Sequence, residues 1–514
     1  MQVSHMPAAV SVSFDEPNLI GSAGLVPVME LAAQAGLHQL AGGRLSVPTD
    51  KGANAGAKVA ALVAGMCTGA DSIDDMAVLR HGAMKRVFGG CYAPSTLGSF
   101  LREFTCGHVR QLDAVASRFL VNLAGRAPML GRTGAAGADP GFVYVDVDDT
   151  IIEVHGYQKQ GSGYGYSGVR GLNALLATAS TQTTAPVILG QRLRRGSVGS
   201  PRGASRLVGD SLAILKRLVP AAGARVLVRA DSAFYGHATV AAALTAGAEV
   251  TVTVKMDKAV KAAIAGIDEK AWTGIRYPQA IFDEDTGTWI SKAEVAEVPF
   301  TAFTSRKKTE RVPGRLVVRR IPELNPQDTD QPTLFDTHRF HAFFTTTDPE
   351  VLDTVTADQT HRGHAVIEQV NADLKDSALA HLPSGHFGAN SAWLVCAVMA
   401  YNLTRTAGTL CGPAARRPAP VSGGRAAPSD RSGTEAPFPC VRCAPRACPR
   451  GTHQSVQHLG SAVVIFAIFL VGHRISGPSR DNSAGCVLCI PGMPRWRGFG
   501  YSSPLFFRPR RQRC

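Results

Sequence analysis

Apolar residues over the first 140 positions recur at helical spacing. The segments IGSAGLVPVMELAAQAGLHQL (20–40) and NAGAKVAALVAGM (54–66) both place them three or four residues apart. This spacing predicts helices that each bury one face, so we expect a helical N-terminal region over residues 1–140. Short helices of this kind form either a helix-turn-helix that binds DNA or a plain helix bundle, and the pattern fits both.

At Gly141 the period of the pattern changes from 3.6 residues to two. The segments VYVDVDDT, IIEVHGY and NALLATAS predict three successive strands, and RVLVRADS and EVTVTVKM predict two more, each after a helical segment. Three strands followed by helix, strand, helix and strand is the order of a ribonuclease-H-like mixed sheet. We therefore predict an α/β protein whose catalytic core begins with residues 141–256.

The second half of the predicted core is separated from the first by a segment rich in strands. Residues 257–345 return to alternating apolar and polar positions, which indicates a β-rich insertion. Helical patterns resume at 361–376 and at about 388–406, so residues 346–410 should supply the last helices of the core. Trp289 lies within the insertion, where it either stacks on an unpaired DNA base or packs into a core.

Composition changes abruptly after Leu410. Residues 411–514 hold 15 Arg, no Lys and three acidic residues, which accounts for 12 of the chain's net charge of +14. Two Cys pairs there, Cys440 with Cys443 and Cys486 with Cys489, have a spacing that suits tetrahedral zinc. An abundance of Arg, Pro, Gly and Ser without a sustained period instead indicates a disordered or frameshifted tail. We favour the second interpretation and expect a chain cut at about Leu410 to keep its core folded.

The remaining 410 residues are nearly neutral, so net charge alone does not indicate a nucleic-acid partner. Their four Cys are scattered, which is typical of a reduced compartment. No apolar run reaches the roughly 20 residues of a membrane span. We expect a cytoplasmic, nucleoid-associated protein with no membrane partner.

Carboxylates at the ends of two apolar strands are the first candidates for chemistry. Asp146 and Asp148 alternate along one predicted strand, and Asp231 ends another. Carboxylates are costly to remove from water unless a cation lies between them, so converging strand ends favour a metal site. Each Asp taken alone could equally cap a helix or form a turn.

A polar helix face offers a third carboxylate. In HRGHAVIEQVNADLKD, the residues His361, His364, Glu368 and Lys375 fall within about 60° of arc on a continuous helix. An ordinary solvated face shows the same spacing. Combined with Asp148 and Asp231, however, Glu368 completes a set that could hold two Mg²⁺ ions, with basic residues beside them for phosphates.

These motifs resemble a known family. DVDDT, VLVRADSAFYG and HRGHAVIEQVNADLKD, with GYGYSGVRGLNALL and HLPSGHFGANSAWL, are similar to transposases of the insertion-sequence 1380 family, within the insertion-sequence 4 group, over about residues 10–410. The resemblance implies that Asp148, Asp231 and Glu368 are the catalytic and metal-binding residues. The group's pattern Tyr-x2-Arg-x3-Glu-x6-Lys maps to His361, His364, Glu368 and Lys375, so both its Tyr and its Arg are replaced by His.

The resemblance also implies an activity. A transposase of the DDE type uses Mg²⁺, or Mn²⁺ as a substitute, to cut DNA at the ends of an insertion sequence and to join the freed 3′-hydroxyl to target DNA. Its partners would be the terminal inverted repeats, the target DNA and a second copy of the chain in an active homodimer. Asp146, His361, Arg362, His364 and Lys375 would then support the metal ligands or bind phosphates.

Two other functions fit parts of the sequence. Asp146 to Thr150 satisfies the DxDxT pattern of haloacid-dehalogenase-like phosphatases, in which Asp146 would be the nucleophile. The altered residues after Leu410 also suit an inactive transposase relic that keeps the fold and only binds DNA. A metal-dependent transposase explains more of the motifs than either alternative.

Overall fold

The computed structural model describes residues 20–131, 141–155, 158–219, 224–276, 281–283, 288–290, 293–322 and 338–411, with backbone alone for 281–283, 288–290 and 322. The predicted features of residues 411–514, including both Cys pairs, lie outside this range except for Cys411. The side chain of Trp289 also lies outside it. The interpretations of these residues stay predictions.

Six α-helices precede the sheet in the described part of the chain. They are α1 (Leu25–Gln34), α2 (Leu37–Arg44), α3 (Ala55–Cys67), α4 (Met84–Val87), α5 (Pro94–Arg102) and α6 (Cys106–Ala124). Leu62, Phe100, Leu112 and Phe119 are the kind of residue they bury, each with no more than 1% of its surface exposed. Helix α6 begins in a capping box between Thr105 and His108.

The last described helix, α12 (Phe387–Cys411), lies between these helices and the sheet. It packs against α3, α5 and α6 as well as against the fourth strand. Trp393, Leu394, Cys396 and Leu403 are all buried, so the helix is apolar around most of its circumference. The N-terminal helices therefore share one core with the C-terminal end of the described chain.

The central sheet is mixed. Its strands are β1 (Phe142–Glu153), β2 (Gly163–Tyr164), β3 (Arg170–Ser180), β4 (Val187–Arg195), β5 (Arg225–Ala230), β6 (Glu249–Thr253), β7 (Thr273–Gly274), β10 (Glu294–Ala302), β11 (Val312–Pro322) and β12 (His338–Thr345), while β8 (Ile281–Asp283) and β9 (Thr288–Ile290) form a separate hairpin. The order is β2-β3-β1-β5-β6-β12-β11-β10-β7, with β4 also paired to β3. Strands β1, β5 and β6 are parallel, and β3 runs antiparallel to β1. This arrangement is consistent with the predicted ribonuclease-H-like mixed sheet.

The first three strands differ in extent from their prediction. VYVDVDDT and IIEVHGY belong mainly to the single strand β1, and the third strand of the group is β4, which the sequence pattern did not indicate. The β-branched run Thr150, Ile151 and Ile152 continues the strand, because no Gly, Pro or Asn interrupts it. The Asp residues at 146, 148 and 149 therefore lie within a long strand rather than at its end.

The β-rich segment joins the central sheet instead of forming a sheet of its own. Strand β12 pairs with β6 at Phe343–Thr345, and β11 and β10 follow outward. Only the hairpin of β8 and β9 pairs separately among the described strands. The domain boundaries stay predictions, but β10, β11 and β12 extend the same sheet that carries Asp148 and Asp231.

Five further α-helices cover or border the sheet among the residues that the structure describes. They are α7 (Ala204–Leu218), α8 (His237–Thr245), α9 (Lys258–Ala265), α10 (Thr354–Arg362) and α11 (Val366–Lys375). Helix α7 packs on β3 and β4, whereas α11 packs on β1. Among the described helices, none is both long and apolar enough to cross a membrane.

Candidate active site

A buried ion pair lies beneath the candidate site. Asp146 on β1 is fully buried, and Arg229 on β5 donates to both of its oxygens, at 2.7 and 2.8 Å. His364 Nδ1 lies 3.0 Å from Asp146 Oδ1. Burial works against ionisation, but the Arg229 guanidinium and His364 together hold the pKa of Asp146 below its usual range. Asp146 is therefore a fixed structural anion between two strands and a helix.

Asp148 and Asp231 lie side by side one step farther along the same two strands. The parallel register pairs Val147 with Ala230, which places the next residues on strands about 4.8 Å apart. Asp231 also accepts a 3.0 Å bond from the Ala233 amide and so caps the turn that follows β5. Asp148 and Asp231 thus come from neighbouring strands, and their role as metal ligands stays a prediction.

Burial raises the pKa of Asp148 to about 6, and repulsion from Asp231 and Asp149 adds to the shift. Burial likewise raises the pKa of Asp231, again with repulsion from Asp149. Two crowded carboxylates of this kind favour a proton or a cation between them. The pair therefore has the electrostatic character of a cation site.

Asp149 faces away from this pair, because successive strand residues point to opposite sides of a sheet. Its Oδ2 accepts a 2.6 Å hydrogen bond from Asn173 Nδ2 and forms an ion pair with Arg194. Its negative charge is thus balanced on the opposite face. Only Asp148 of the two neighbouring carboxylates is available to the candidate site.

Helix α11 is tied directly to Asp148. Asn371 Nδ2 donates to Asp148 Oδ2 at 2.9 Å. Glu368 precedes Asn371 by three residues, a spacing that puts both on the same side of a helix. Asn371 is buried, whereas Glu368 is exposed to solvent on the same helix. Asn371 Oδ1 is buried without a hydrogen-bond partner among the described residues.

The predicted continuous helix over 361–376 is wrong. Helix α10 ends at Arg362, a single 3₁₀ turn covers Gly363–Ala365, and α11 begins at Val366. The break occurs where Arg229 crosses: a Cβ at Gly363 would lie 2.6 Å from Arg229 Nη1. Arg229 also donates to the Thr360 carbonyl at 2.8 Å. The four polar residues therefore do not share one helix face.

The His361 ring consequently bonds to a neighbouring strand and not to Asp148 or Asp231. Its two ring nitrogens are 3.0 and 2.9 Å from the hydroxyls of Thr251 and Thr253, and the ring stacks on Phe343 at 4.2 Å. Burial lowers the pKa of His361 to about 3, so the imidazole is neutral at ordinary pH. A neutral, enclosed ring cannot bind a phosphate as a cation.

The other predicted basic residues have different surroundings. Arg362 Nε donates to Asp358 Oδ2 at 2.8 Å, and Lys375 is exposed at the end of α11. The described structure therefore groups Asp146, Asp148, Asp231 and His364, and Glu368 is exposed on α11, the helix that packs on β1. His361 is near Asp146 and His364, but its ring nitrogens bond to Thr251 and Thr253.

The oxygen-rich pair fits a hard cation such as Mg²⁺. The fit rests on the two crowded carboxylates of Asp148 and Asp231 and on the unpaired oxygen of Asn371 on α11, whose amide nitrogen bonds to Asp148. Within the described part of the chain, no three His, Cys, Asp or Glu side chains converge closely enough to hold one ion. Glu368 would have to approach Asp148 to complete a three-carboxylate set.

Two residues of the site were missed from the sequence. The sequence contained an indication for Arg229, because an Arg inside an apolar strand requires a buried anion. Asp146 on the neighbouring strand provides that anion. The indication for Asn371 was weaker and consisted of its three-residue spacing from Glu368. Neither could be assigned without the register of β1 against β5.

Comparison with known families agrees with this geometry. A sequence model of the family described as transposase DDE domain group 1 matches residues 4–420, about four fifths of the chain. Among curated proteins, none matches the chain significantly.

Proposed function

Since the chain belongs to the transposase DDE domain group 1 family, we propose that it cuts DNA at the ends of an insertion sequence and transfers the freed strand to target DNA. Asp148, Asp231 and Glu368 are the proposed catalytic carboxylates and ligands of Mg²⁺ or Mn²⁺. The motifs further favour the insertion-sequence 1380 family. A homodimer bound to the terminal inverted repeats is the proposed active complex, at the nucleoid.

The observation that carries this proposal is the juxtaposition of Asp148 and Asp231 on neighbouring strands beneath the helix of Glu368. Arg229 and His364 fix β1 and the start of α11 through the single carboxylate of Asp146. Asn371 then fixes the Asp148 side chain relative to α11. The residues around the carboxylates thus form a rigid support, which catalysis by positioning requires.

Bound divalent cations would supply positive charge against the phosphodiester and the charge that develops on it. The chain's own residues hold the reacting groups in place. Asp148 and Asp231 present their oxygens from the sheet, and Glu368 presents its carboxylate from the first turn of α11. The raised pKa of Asp148 shows that its negative charge is unfavourable there, and a bound cation would stabilise that charge.

The phosphatase alternative conflicts with the position of Asp146. Its two oxygens receive three hydrogen bonds, and no part of its surface is exposed. A nucleophilic carboxylate must reach its substrate, and Asp146 cannot do so without breaking the ion pair with Arg229. The same geometry would also be found in an inactive relic. Only an assay of DNA cleavage distinguishes the relic from an active transposase.

The proposal is tested by cation binding and DNA cleavage in parallel. We expect Asp148→Ala and Asp231→Ala each to weaken Mn²⁺ binding, measured by calorimetry, at least about tenfold, since each removes a charged ligand. Both should abolish nicking of DNA that carries the sequences flanking the gene, while DNA binding persists. Glu153→Gln, an exposed carboxylate on the same strand, is the matched control and should change neither property.

Two results would redirect the assignment. Unchanged cleavage by Asp148→Ala would contradict the catalytic role of that residue. A wild-type chain that binds DNA but neither binds Mn²⁺ nor nicks DNA would support the inactive relic.

A further inference from the structure

A short hairpin carries three of the four exposed large apolar side chains of the described structure. We define the tyrosine hairpin as residues 158–171, which include β2 and the start of β3. Tyr164 is 65% exposed, Tyr166 is fully exposed and Val169 is 37% exposed. The remaining exposed large apolar residue among those described is Val26, on α1. Clustered exposed aromatics of this kind mark a binding surface more often than chance.

The tyrosine hairpin is held firmly despite its many glycines. The Gln160 amide donates to the Gly385 carbonyl at 2.9 Å, and Lys159 Nζ donates to the Leu382 carbonyl. The Gly196 amide donates to the Gly161 carbonyl at 3.0 Å. A Cβ at Gly196 would lie 2.0 Å from the Gly171 carbonyl oxygen, so only glycine permits this approach. The two tyrosines therefore project from a fixed base.

The surroundings of the tyrosine hairpin are basic. Residues 158–172 and 190–206 contain no Asp or Glu and seven Lys or Arg. Arg192, Arg194 and Arg206 pair with acids of other segments. Arg195 and Arg202 are exposed and form no ion pair with the described residues. Two free cations beside exposed aromatics suit a polyanion that also presents flat apolar rings.

The tyrosine hairpin and the candidate site lie along one strand. From Asp148, β1 continues to Glu153, which pairs with Gly171 at the base of the hairpin. Five residues of strand correspond to about 17 Å. The loop that anchors Lys159 and Gln160 also follows α11, the helix of Glu368. A nucleic-acid strand bound at the site could therefore continue across the hairpin.

We propose that Tyr164 and Tyr166 form a stacking platform for unpaired bases of the DNA strand whose phosphate lies at Asp148, with Arg195 and Arg202 contacting its backbone. Aromatic side chains stack on bases of any sequence, and nearby cations neutralise phosphates. The assignment rests on the proposed function, since it takes DNA as the substrate. It adds residues that would hold the DNA strand beyond the base of the hairpin, which lies about 17 Å of strand from Asp148.

The direct test is photocrosslinking of the full chain without divalent cations. The probe is a duplex with an eight-nucleotide 3′ overhang of thymine in which one base is 5-iododeoxyuridine. Trypsin cuts after Lys159 and Arg170, so both tyrosines fall in the single peptide 160–170. We expect the crosslinked base to be attached to this peptide. Crosslinks confined to other peptides would overturn the proposal.

Affinity gives a second readout. Tyr164→Ala with Tyr166→Ala should raise the Kd for the overhang duplex at least about fivefold, while the Kd for a blunt duplex changes less than about twofold. The paired Tyr→Phe substitutions keep the rings and should restore binding. Val26→Ala is the matched control, because it removes an exposed apolar side chain from a different element.

The outcomes separate this proposal from the proposed function. Equal binding of the overhang by wild type and the double Tyr→Ala variant would overturn the stacking platform. A loss of dimers in that variant with unchanged DNA affinity would identify the surface as a protein interface and overturn it as well. The crosslinking assay contains no metal. A chain that fails to bind Mn²⁺ would therefore contradict the catalytic assignment without changing the crosslinking result.

Discussion

Arg229 connects three elements through one side chain. Its Nε and Nη2 hold both oxygens of Asp146, its Nη1 holds the Thr360 carbonyl at the end of α10, and its guanidinium lies 4.3 Å from the Tyr144 ring centroid. A planar fork with five N–H donors can do this, whereas a Lys ammonium cannot. Removing one partner of such a buried pair typically costs about 3–5 kcal/mol. Arg229 therefore fixes the strand with Asp148 relative to the end of α10, one short turn before the helix with Glu368 begins.

His361 gives a prediction for stability against pH. The folded pKa is about 3, below the value of 6.5 expected when the chain is unfolded, so only the unfolded chain takes up this proton between those pH values. Stability should therefore fall as pH drops below about 6.5, by about 1.4 kcal/mol per pH unit. In His361→Gln, which cannot titrate, this part of the pH dependence should disappear. Urea unfolding at pH 7.5, 6 and 5 measures it.

The comparison uses the slope and not the absolute stability, because Gln also loses the stacking on Phe343. The wild-type slope minus the variant slope isolates His361 from other titrating groups. Equal slopes in the two proteins would show that the ring is protonated or accessible in the folded state.

At the residue scale, the sequence predicts those candidate residues whose role depends on their immediate neighbours in the chain. Asp148 and Asp231 follow from their places in apolar strands, since an acid there needs a partner. Whether Asp146 or Asp148 faces an ion, however, depends on Arg229, which is 83 residues away from Asp146. His361 was misplaced for the same reason, because Thr251 and Thr253 enclose it from a distant strand.

Elements follow the local pattern until a tertiary contact interrupts them. The N-terminal helices and the parallel strands β5 and β6 form where periodicity predicts them. The helix predicted over 361–376 breaks at Gly363, where Arg229 needs the space of a side chain. Strand β4 was missed because VILGQRLRR shows no strict alternation, with five residues buried before the Arg-rich end. Pairing with β3 makes it a strand.

Asn402 gives a prediction at the scale of elements. Its side chain accepts from the Ile188 amide at 2.9 Å and donates to the Ile188 carbonyl at 2.8 Å, which joins α12 to β4. Asn402→Leu keeps similar volume but leaves both buried backbone groups unpaired, so we expect a loss of about 2–4 kcal/mol. Chemical denaturation measures the loss, and amide hydrogen exchange at Ile188 should accelerate.

Thr404→Val is the control on the same helix. The Thr404 hydroxyl bonds only to carbonyls of α12 itself, Ala400 and Tyr401, so its removal should change stability by less than about 0.5 kcal/mol. A similar loss in both variants would mean that the Asn402 pairing contributes nothing particular to docking.

At the scale of the whole molecule, the N-terminal helices and the sheet are joined by α12. Because α12 (Phe387–Cys411) packs against α3, α6 and β4, a chain ending at Cys411 keeps these contacts and should fold. We expect its melting temperature to lie within about 4 °C of the full chain. Its net charge falls to about +2, so the salt dependence of non-specific DNA binding should flatten.

A chain ending at Asn390 supplies the contrasting case, since it removes the buried Trp393 and Leu403 and should not fold cooperatively. Thermal unfolding followed by circular dichroism compares the two truncations. Stoichiometric zinc in the full chain, lost together with several degrees of melting temperature on truncation at Cys411, would show instead that the two Cys pairs form a metal-binding module.

The pairing of Asn402 with Ile188 also bears on how copies of the protein meet. A strand at the border of a sheet offers its free amides and carbonyls to any other strand, and this is a common start of aggregation. At Ile188 both groups already face an amide side chain that imitates a neighbouring strand. A nascent chain that has not yet added α12 would present β4 uncovered, so self-association during synthesis should peak before residue 402 has emerged and folded.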